Sequence, residues 1–394
     1  MSEYVTTAVS ILRALNDNGF EAYFVGGYVR DSLLNIPTKD IDITTSALPE
    51  EVMQIFENVK ETGKRFGTVT VIVNNLAYEV TTFRAEGTYS DRRRPDTISF
   101  SNSIEEDVVR RDFTVNGICM NADGKVIDLV EGESDLKTKT LRMIGNPSVR
   151  LEEDILRALR AVRFVSSHGF KVEAETKHAL KESAKYITTL PIERIMQELN
   201  KVFKGKYLKE ALELLIDTGL AHYLYGLEKG LKYLLSLKEI TDLSVLDIFT
   251  VCFIKDHFDD VWRFSNQHQR LIIKLMNLHE ITRSDDFNTF MVFSHGLELC
   301  KLVNHINVIL GYKDQTNNLI KIDKAMPVKD VCDLAFKGQD IMQLTELRKH
   351  SLIGLVIDDL LERVLDGRLE NEYEVLKAYA LKKINKLQLG ESNE

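Results

Sequence analysis

Asp40 and Asp42 stand two apart in the run Asp40-Ile41-Asp42-Ile43-Thr44-Thr45. Side chains at i and i+2 leave the same face of an extended strand, so both carboxylates point one way while Ile41 and Ile43 turn toward a core. Two carboxylates side by side repel unless a cation lies between them. Mg2+ suits that position, because it takes one or two carboxylates and completes its shell with substrate phosphates. Two such ions, ~3.5–4 Å apart, could clamp the attacking and leaving oxygens of a phosphoryl transfer. Upstream, Phe24-Val25-Gly26-Gly27-Tyr28-Val29-Arg30-Asp31 reads as a strand, two glycines and a helix over Tyr28–Leu34. Glycines let a backbone approach a ligand closely, and a helix start offers N–H groups to a phosphate. Arg30, in that first turn, adds a charge-assisted contact. Alone, an Asp-x-Asp is a solvated strand edge and a Gly-Gly a tight turn. In this order and spacing they point to phosphate chemistry.

Two further segments carry arginines. Arg110-Arg111-Asp112-Phe113-Thr114-Val115-Asn116 sets two arginines before a helix that Asp112 or Thr114 could cap. The run from Glu152 to Phe164 places Asp154, Arg157, Arg160 and Arg163 three apart. On one helix over Leu151–Phe164 these four form a polar ridge, and Ile155, Leu159 and Val162 form an apolar stripe. By spacing alone, both segments are capped or salt-bridged basic faces.

The elements that must position these residues divide the chain in two. Before about residue 147 the sequence has short β-rich runs, Ala22–Val25, Ile41–Thr45, Thr68–Val73 and Ala77–Phe83, with helical pieces such as Pro49–Phe56 between them. Asn74-Asn75 joins two strand-like runs as a hairpin. The first helix should bury Ile11, Leu12 and Leu15. After Pro147 the pattern is helical nearly throughout, including Ala174–Ser183, Ile192–Phe203 and Leu208–Thr218. The fold class is therefore α+β: a small-sheet domain followed by helices. The end, KKINKLQLGESNE, is expected to fray.

Bulk properties set limits. With 394 residues the chain should hold two to four domains. A net charge of −9 argues against an overall basic nucleic-acid binder, although one local basic face suffices to track phosphates. Cys119, Cys252, Cys300 and Cys332 form no CxxC pair, so neither a zinc site nor a disulfide framework is indicated, and free thiols fit a reducing cytoplasm. The first twenty residues lack the apolar core of a signal peptide or membrane span.

GGYVRDSLLNIPTKDIDITT resembles the first motif of polymerase-β-type nucleotidyltransferases, in the branch of class II tRNA nucleotidyltransferases that includes CCA-adding enzymes and bacterial poly(A) polymerases. The resemblance implies that Asp40 and Asp42 are catalytic and hold Mg2+, and that Gly27 and Arg30 contact the incoming triphosphate. Glu79, in YEVTTFR, is a candidate third carboxylate, and equally a surface strand glutamate. Arg110–Asn116 resembles the family's RRDFTxNA motif, with Gly117 in place of alanine and Arg111 the best-matched nucleotide contact. Glu153-Asp154-x-x-Arg157 resembles the EDxxR motif that reads the base, with Arg160 and Arg163 helping to hold the triphosphate. The chemistry suits that role. Cytosine and adenine each present an amine beside a ring-nitrogen acceptor, matched by an Asp acceptor and an Arg donor; uracil and guanine reverse both polarities. Such a bidentate match discriminates by about 1–3 kcal/mol.

Arg84–Asp96, RAEGTYSDRRRPD, resembles the flexible loop of family members that add the terminal A. Pro191-Ile192-Glu193-Arg194 fits the helix after the base-reading segment, in a structural role. MPVKDVCDLAFKGQDIM, at 326–342, resembles a tail motif with Lys329 and Lys337 near phosphates. The implied organisation is a nucleotidyltransferase head (1–147), a base-reading neck (148–215), a body (216–320) and a tRNA-binding tail (321–394). The implied activity is template-independent addition of C, C and A from CTP and ATP to the tRNA 3′ end, releasing pyrophosphate. No membrane partner is expected, and a homodimer is left open. Three rivals stand beside this reading: an A-adding enzyme sharing every motif, a poly(A) polymerase, and a silent RNA-binding protein on the same scaffold.

Overall fold

The computed structural model describes residues 3–38, 40–85, 99–240, 242–344 and 350–391. Of the Arg84–Asp96 segment only Arg84 and Ala85 fall within them, so the reading of that loop lies outside the described residues. The chain divides into two compact units, Met1–Arg263 and Phe264–Glu394.

In the first unit, helix α1 (Glu3–Asp17) buries Ile11, Leu12 and Leu15 fully, as their spacing predicts. Strand β1 (Ala22–Val25) passes through Gly26 into helix α2 (Gly27–Leu33). Then come β2 (Asp42–Thr45), α3 (Pro49–Ile55), β3 (Val59–Gly63), β4 (Thr68–Val73), β5 (Leu76–Thr82) and α4 (Ile104–Val109). The short elements β6 (Cys119–Met120), β7 (Val126–Ile127), α5 (Gly132–Thr138) and β8 (Thr140–Leu141) complete the mixed region.

Seven strands among the described residues form one sheet, in the order β3-β4-β5-β2-β1-β6-β7. Strand β2 lies inside it, antiparallel to β1 and parallel to β5. The Asn74-Asn75 turn is as expected: both residues have positive φ (52° and 62°), the conformation a two-residue I′ hairpin demands and asparagine tolerates. Strand β3, reading VKETG, carries no alternating apolar signal and escapes sequence reasoning. It is an edge strand, and its exposed Lys60 and Glu61 suit an edge that must not pair further.

Helices then dominate: α6 (Pro147–Glu153), α7 (Leu156–His168), α8 (Ala174–Ser183), α9 (Ile192–Val202), α10 (Leu208–Asp217), α11 (Glu228–Ser236) and α12 (Val245–Lys255). A two-residue strand β9 (Lys171–Val172), after α7, pairs with β8. Helix α7 buries Ala158, Leu159, Ala161, Val162 and Val165, and packs on α9 and α10.

The second unit contains α13 (Asn266–Thr282), α14 (Thr289–His295), α15 (Leu297–Ile309), α16 (Thr316–Ala325), α17 (Gly338–Leu344), α18 (His350–Leu365) and α19 (Tyr373–Glu391). Phe336, Ile341, Val356, Leu360 and Leu376 are central to one of its apolar clusters. Helix α19 runs on to Glu391, against the expectation of a frayed end. Among the described residues no helix is long and apolar enough to cross a membrane.

Gly132, the first residue of α5, presses on the turn that follows Arg111 and Asp112. An added Cβ would lie 2.3 Å from the Thr114 carbonyl oxygen and 2.6 Å from Ile118 Cγ1. Gly132→Ala should therefore cost about 1–3 kcal/mol through overpacking, read as a lower urea midpoint at constant m-value. An unshifted midpoint would show that this contact can relax freely.

Candidate active site

Asp42 opens β2 and Asp40 precedes it by two residues. Ile41 and Ile43 are 3% and 1% exposed, while both aspartates are exposed, which is the alternation that the spacing requires. The parallel pairing of β2 with β5 sets Glu79 directly in register with Asp42. Although Asp42 is exposed as a whole residue, the protein crowded around its carboxyl and the charge of Glu79 push that group above the usual carboxylate range; Arg111 opposes this and Asp40 adds to it. Among the described residues no three His, Cys, Asp or Glu side chains form a ready-made metal cage. An exposed carboxylate pair under mutual repulsion nevertheless fits Mg2+, which draws its remaining ligands from water and phosphate.

Gly26 lets the backbone pass this pair closely. Its φ of 69° lies in the left-handed region, and a Cβ there would sit 3.6 Å from Asp42 Oδ2 and 3.8 Å from Arg111 Nη1. One backbone position thus separates the carboxylate from the guanidinium. Arg30 is 7% exposed and held on several sides. It donates from Nε to Asp31 Oδ1 at 2.8 Å and from Nη1 to Asn116 Oδ1 at 2.7 Å, and its guanidinium lies 5.2 Å over the Phe164 ring.

Arg111 donates from Nη2 to Asp107 Oδ2 at 2.7 Å. Asp107 is fully buried and also pairs with Arg110; it accepts from Thr44 Oγ1 at 3.3 Å, tying β2 to the arginines. The expected helix after Asp112 is instead a single 3₁₀ turn, Thr114–Asn116, leading to β6. Asp112 does fix its start, accepting from the Phe113 N–H at 2.9 Å and from Asn116 Nδ2 at 3.0 Å. Arg160 donates to the other Asp112 oxygen at 2.7 Å. Burial pushes Asp112 upward, but Arg160 and these hydrogen bonds outweigh it and hold the carboxyl at about 2.

The helix expected over Leu151–Phe164 is broken. Asp154 is extended (φ −145°, ψ 101°) between α6 and α7, and its Oδ1 accepts from the Leu156 N–H at 3.0 Å. Asp154 therefore ends α6 and satisfies the first N–H of α7 from just ahead of its N-cap, Ile155, rather than continuing the ridge of Arg157, Arg160 and Arg163. The reason is local: an Asp side chain that bonds a backbone N–H two residues on competes with the helix. Arg157 meets Asp154 through the backbone alone, its N–H donating to the Asp154 carbonyl at 3.1 Å; the guanidinium bonds elsewhere. Its Nη1 donates to the Arg150 carbonyl at 2.7 Å and to Glu153 Oε2 at 2.8 Å. Burial pushes the Asp154 carboxyl up, against the Leu156 N–H and then Arg194, Arg157 and Arg160. Arg163 pairs with Glu198 of α9 at 3.3 Å.

The nine residues assigned from the sequence to metal and nucleotide converge on one cleft of about 690 Å3: Gly27, Arg30, Asp40, Asp42, Arg111, Asp154, Arg157, Arg160 and Arg163; Glu79 is not among its lining residues. Sequence reasoning missed others in its wall. Asp31, Arg110 and Asn116 sat inside quoted motifs without a role, and Asp112 was read only as a helix cap. Arg194, read as structural, and Lys201 line the cleft from α9; their spacing of seven, one helical face, was the available signal. His168, at the end of α7, gave no signal at all.

Three family matches tile the chain. Residues 22–142 match the family described as Poly A polymerase head domain, residues 169–231 that described as probable RNA and SrmB-binding site of polymerase A, and residues 255–380 that described as putative tRNA nucleotidyltransferase domain 2. The chain is 36% identical to the CCA-adding enzyme of Enterococcus faecalis over 395 residues, 96% of each chain. It is equally identical to that of Ligilactobacillus salivarius, over 94% of each. Among solved structures, the Bacillus stearothermophilus CCA-adding enzyme in complex with CTP aligns with a TM-score of 0.81 at 31% identity, covering 99% of this chain and 100% of that one. The Thermotoga maritima enzyme complexed with tRNA_CCA shares the fold, with a TM-score of 0.68 at 19% identity, over 98% of this chain and 96% of its own.

The crowding at Asp42 has a measurable consequence. A carboxyl whose folded pKa lies above its unfolded value binds a proton more tightly when native. Stability is then fullest below the unfolded value and falls as pH rises through the folded one. At neutral pH, without metal, ionised Asp42 is thus a net cost. Asp42→Asn should raise Tm in EDTA, and added Mg2+ should raise Tm more in the unmodified protein than in the variant. Calorimetry showing a lower Tm for the metal-free variant would overturn this account.

Proposed function

The chain belongs to the family of CCA-adding enzymes, and we propose that its arginine-lined cleft and the pair Asp40 and Asp42 perform that family's reaction. The enzyme adds C, C and A to the tRNA 3′ end without a nucleic-acid template, using CTP and ATP. One observation carries the assignment of residues: three motifs, more than a hundred positions apart from first to last, supply nine side chains or backbones to one cleft.

In the transfer, the terminal 3′-hydroxyl releases its proton to solvent and its oxygen bonds to the α-phosphorus of the bound nucleotide, the bond to the β-phosphate oxygen breaks, and pyrophosphate leaves. Reactions of this kind rest mainly on positioning and charge neutralisation. Mg2+ held by Asp40 and Asp42 would supply an activated 3′ oxygen and charge balance at the leaving group. Arg30, Arg111, Arg160 and Arg163 bind the triphosphate, and Gly27 lets it approach the backbone. Asp154 accepts from the amine of cytosine or adenine while Arg157 donates to the ring nitrogen.

Addition of all three nucleotides, rather than of A alone, is favoured by relatives called CCA-adding enzymes across nearly the whole chain. The intact aspartate pair speaks against a silent RNA-binding scaffold. The division into head (1–147), neck (148–215), body (216–320) and tail (321–394) remains our reading, with tRNA gripped by the tail. A cytoplasmic location is supported by four unpaired cysteines.

The deciding assay offers labelled CTP or ATP with tRNA transcripts ending before CCA, after C, or after CC. All three should be completed; extension of only the CC-ending transcript would leave an A-adding enzyme. Asp42→Ala should lower incorporation by at least about a hundredfold while sparing tRNA binding; retained activity would remove Asp42 from the metal site.

The raised Asp154 carboxyl predicts a pH effect on fidelity. Below its pKa the carboxyl becomes a donor and tolerates a carbonyl, so discrimination against UTP should be greatest at neutral pH. It should shrink toward acid pH by up to the about 1–3 kcal/mol that the bidentate match supplies. The ratio of CTP to UTP incorporation, followed from pH 8 to 5, measures this. A constant ratio would refute reading by Asp154.

A further inference from the structure

His168 closes α7 and faces the cleft, yet nothing above uses it. Its Nε2 lies 3.3 Å from Asp31 Oδ1, across 137 residues of sequence. A carboxylate only accepts, so Nε2 carries the hydrogen and donates. Burial pushes the Asp31 carboxyl up, but the His168 hydrogen bond and Arg30 outweigh it and hold Asp31 below the usual range. The imidazole is itself fixed. Nδ1 lies 2.6 Å from Ser167 Oγ, and the ring stacks on Phe170 with centroids 5.5 Å apart and planes 21° from parallel. The His168 and Asp31 side chains are 12% and 14% exposed, so water competes little for this bond.

The bond matters because of where Asp31 sits. Arg30 and Asp31 are adjacent in α2, and adjacent residues on a helix do not face each other. Here they do: one oxygen, Asp31 Oδ1, takes Nε of Arg30 at 2.8 Å and Nη2 at 2.7 Å. A hold from outside α2 is needed to keep the carboxylate turned onto its neighbour, and His168 supplies it from α7. A guanidinium has five N–H bonds. Asp31 accepts from Nε and pairs electrostatically with Nη2, and Asn116 accepts from Nη1, which leaves N–H groups on the terminal nitrogens of Arg30 for a ligand.

We propose that His168 is a positioning residue for nucleotide binding: by fixing Asp31 against Arg30, it aims the remaining N–H groups of Arg30 at the triphosphate of the incoming nucleotide. This rests on the triphosphate role proposed above for Arg30. The donated hydrogen bond carries the effect. Glutamine, whose amide can donate to Asp31, should therefore substitute for histidine, whereas an apolar side chain should not.

The test uses the full chain with Mg2+, tRNA and either CTP or ATP, and reads KM and kcat separately alongside Tm. His168→Leu should raise the nucleotide KM about tenfold, the scale of one hydrogen bond to a charged group, with kcat changed less than about twofold. His168→Gln should recover most of the loss. Arg30→Ala should raise KM further, and Arg30→Ala with His168→Leu should be no worse than Arg30→Ala alone. Should His168→Leu melt below the assay temperature, Asp31→Asn is the second variant and should raise KM by the same order. An unchanged KM in His168→Leu, failure of glutamine to restore it in a folded protein, or additive effects in the double variant would overturn the proposal. A silent Arg30→Ala would instead remove Arg30 from the triphosphate site, and so fall on the proposed function itself.

Discussion

A cleft that must receive a polyphosphate has to hold several guanidinium groups close together against their own repulsion. This chain does so by giving five of the cleft's arginines a protein carboxylate on one edge. Arg30 has Asp31, Arg111 has Asp107, Arg157 has Glu153, Arg160 has Asp112 and Arg163 has Glu198. The planar fork of arginine makes this workable, because one edge can be anchored while another stays available. Lysine, a point charge, could not divide its donors so cleanly. A net charge of −9 does not bar an anionic substrate, because the anchor carboxylates inside the site are each matched by an arginine and order cations rather than repel phosphate.

The same pairings join segments that are remote in sequence. Asp112, in the turn after Arg111, accepts from Arg160 on α7, and Asn116 links that turn to Arg30 on α2. Asp107 ties Arg111 to Thr44 on the strand that carries Asp42. The carboxylates for metal and the arginines for phosphate are thus mechanically one object, bonded through the floor of the cleft. A change at any anchor moves its arginine relative to Asp42, so anchors and contacts should behave as a unit rather than additively.

How far this was legible depends on the range of the interaction. The Asp40/Asp42 alternation, the Asn74-Asn75 hairpin and the apolar stripe of α1 are consequences of chain geometry over two to eight residues, and they stood in the sequence. The anchors were not legible, since Asp31, Asp107 and Glu198 look like ordinary surface acids until tertiary contacts bring an arginine to each. His168 is the extreme case, a lone histidine whose partner lies 137 residues away. Strand β3 failed for the opposite reason. As an exposed edge it needs no apolar alternation, so periodicity has nothing to report.

The break at Asp154 shows why a local departure from helical pattern can matter more than the pattern. On a continuous helix, Asp154 and Arg157 would be i,i+3 neighbours and would neutralise each other as a surface pair. Neither would then be free to meet a base. The extended backbone at Asp154 separates them. Asp154 spends Oδ1 on the Leu156 N–H and keeps its second oxygen, while Arg157 spends Nη1 on Glu153 and the Arg150 carbonyl. What remains is one acceptor and one donor edge, neither side chain hydrogen-bonded to the other. For the base-reading role proposed here, that separation is the requirement: a mutual salt bridge would have to be broken for every nucleotide bound, whereas two independently held groups present the same polarity to cytosine and to adenine without rearrangement.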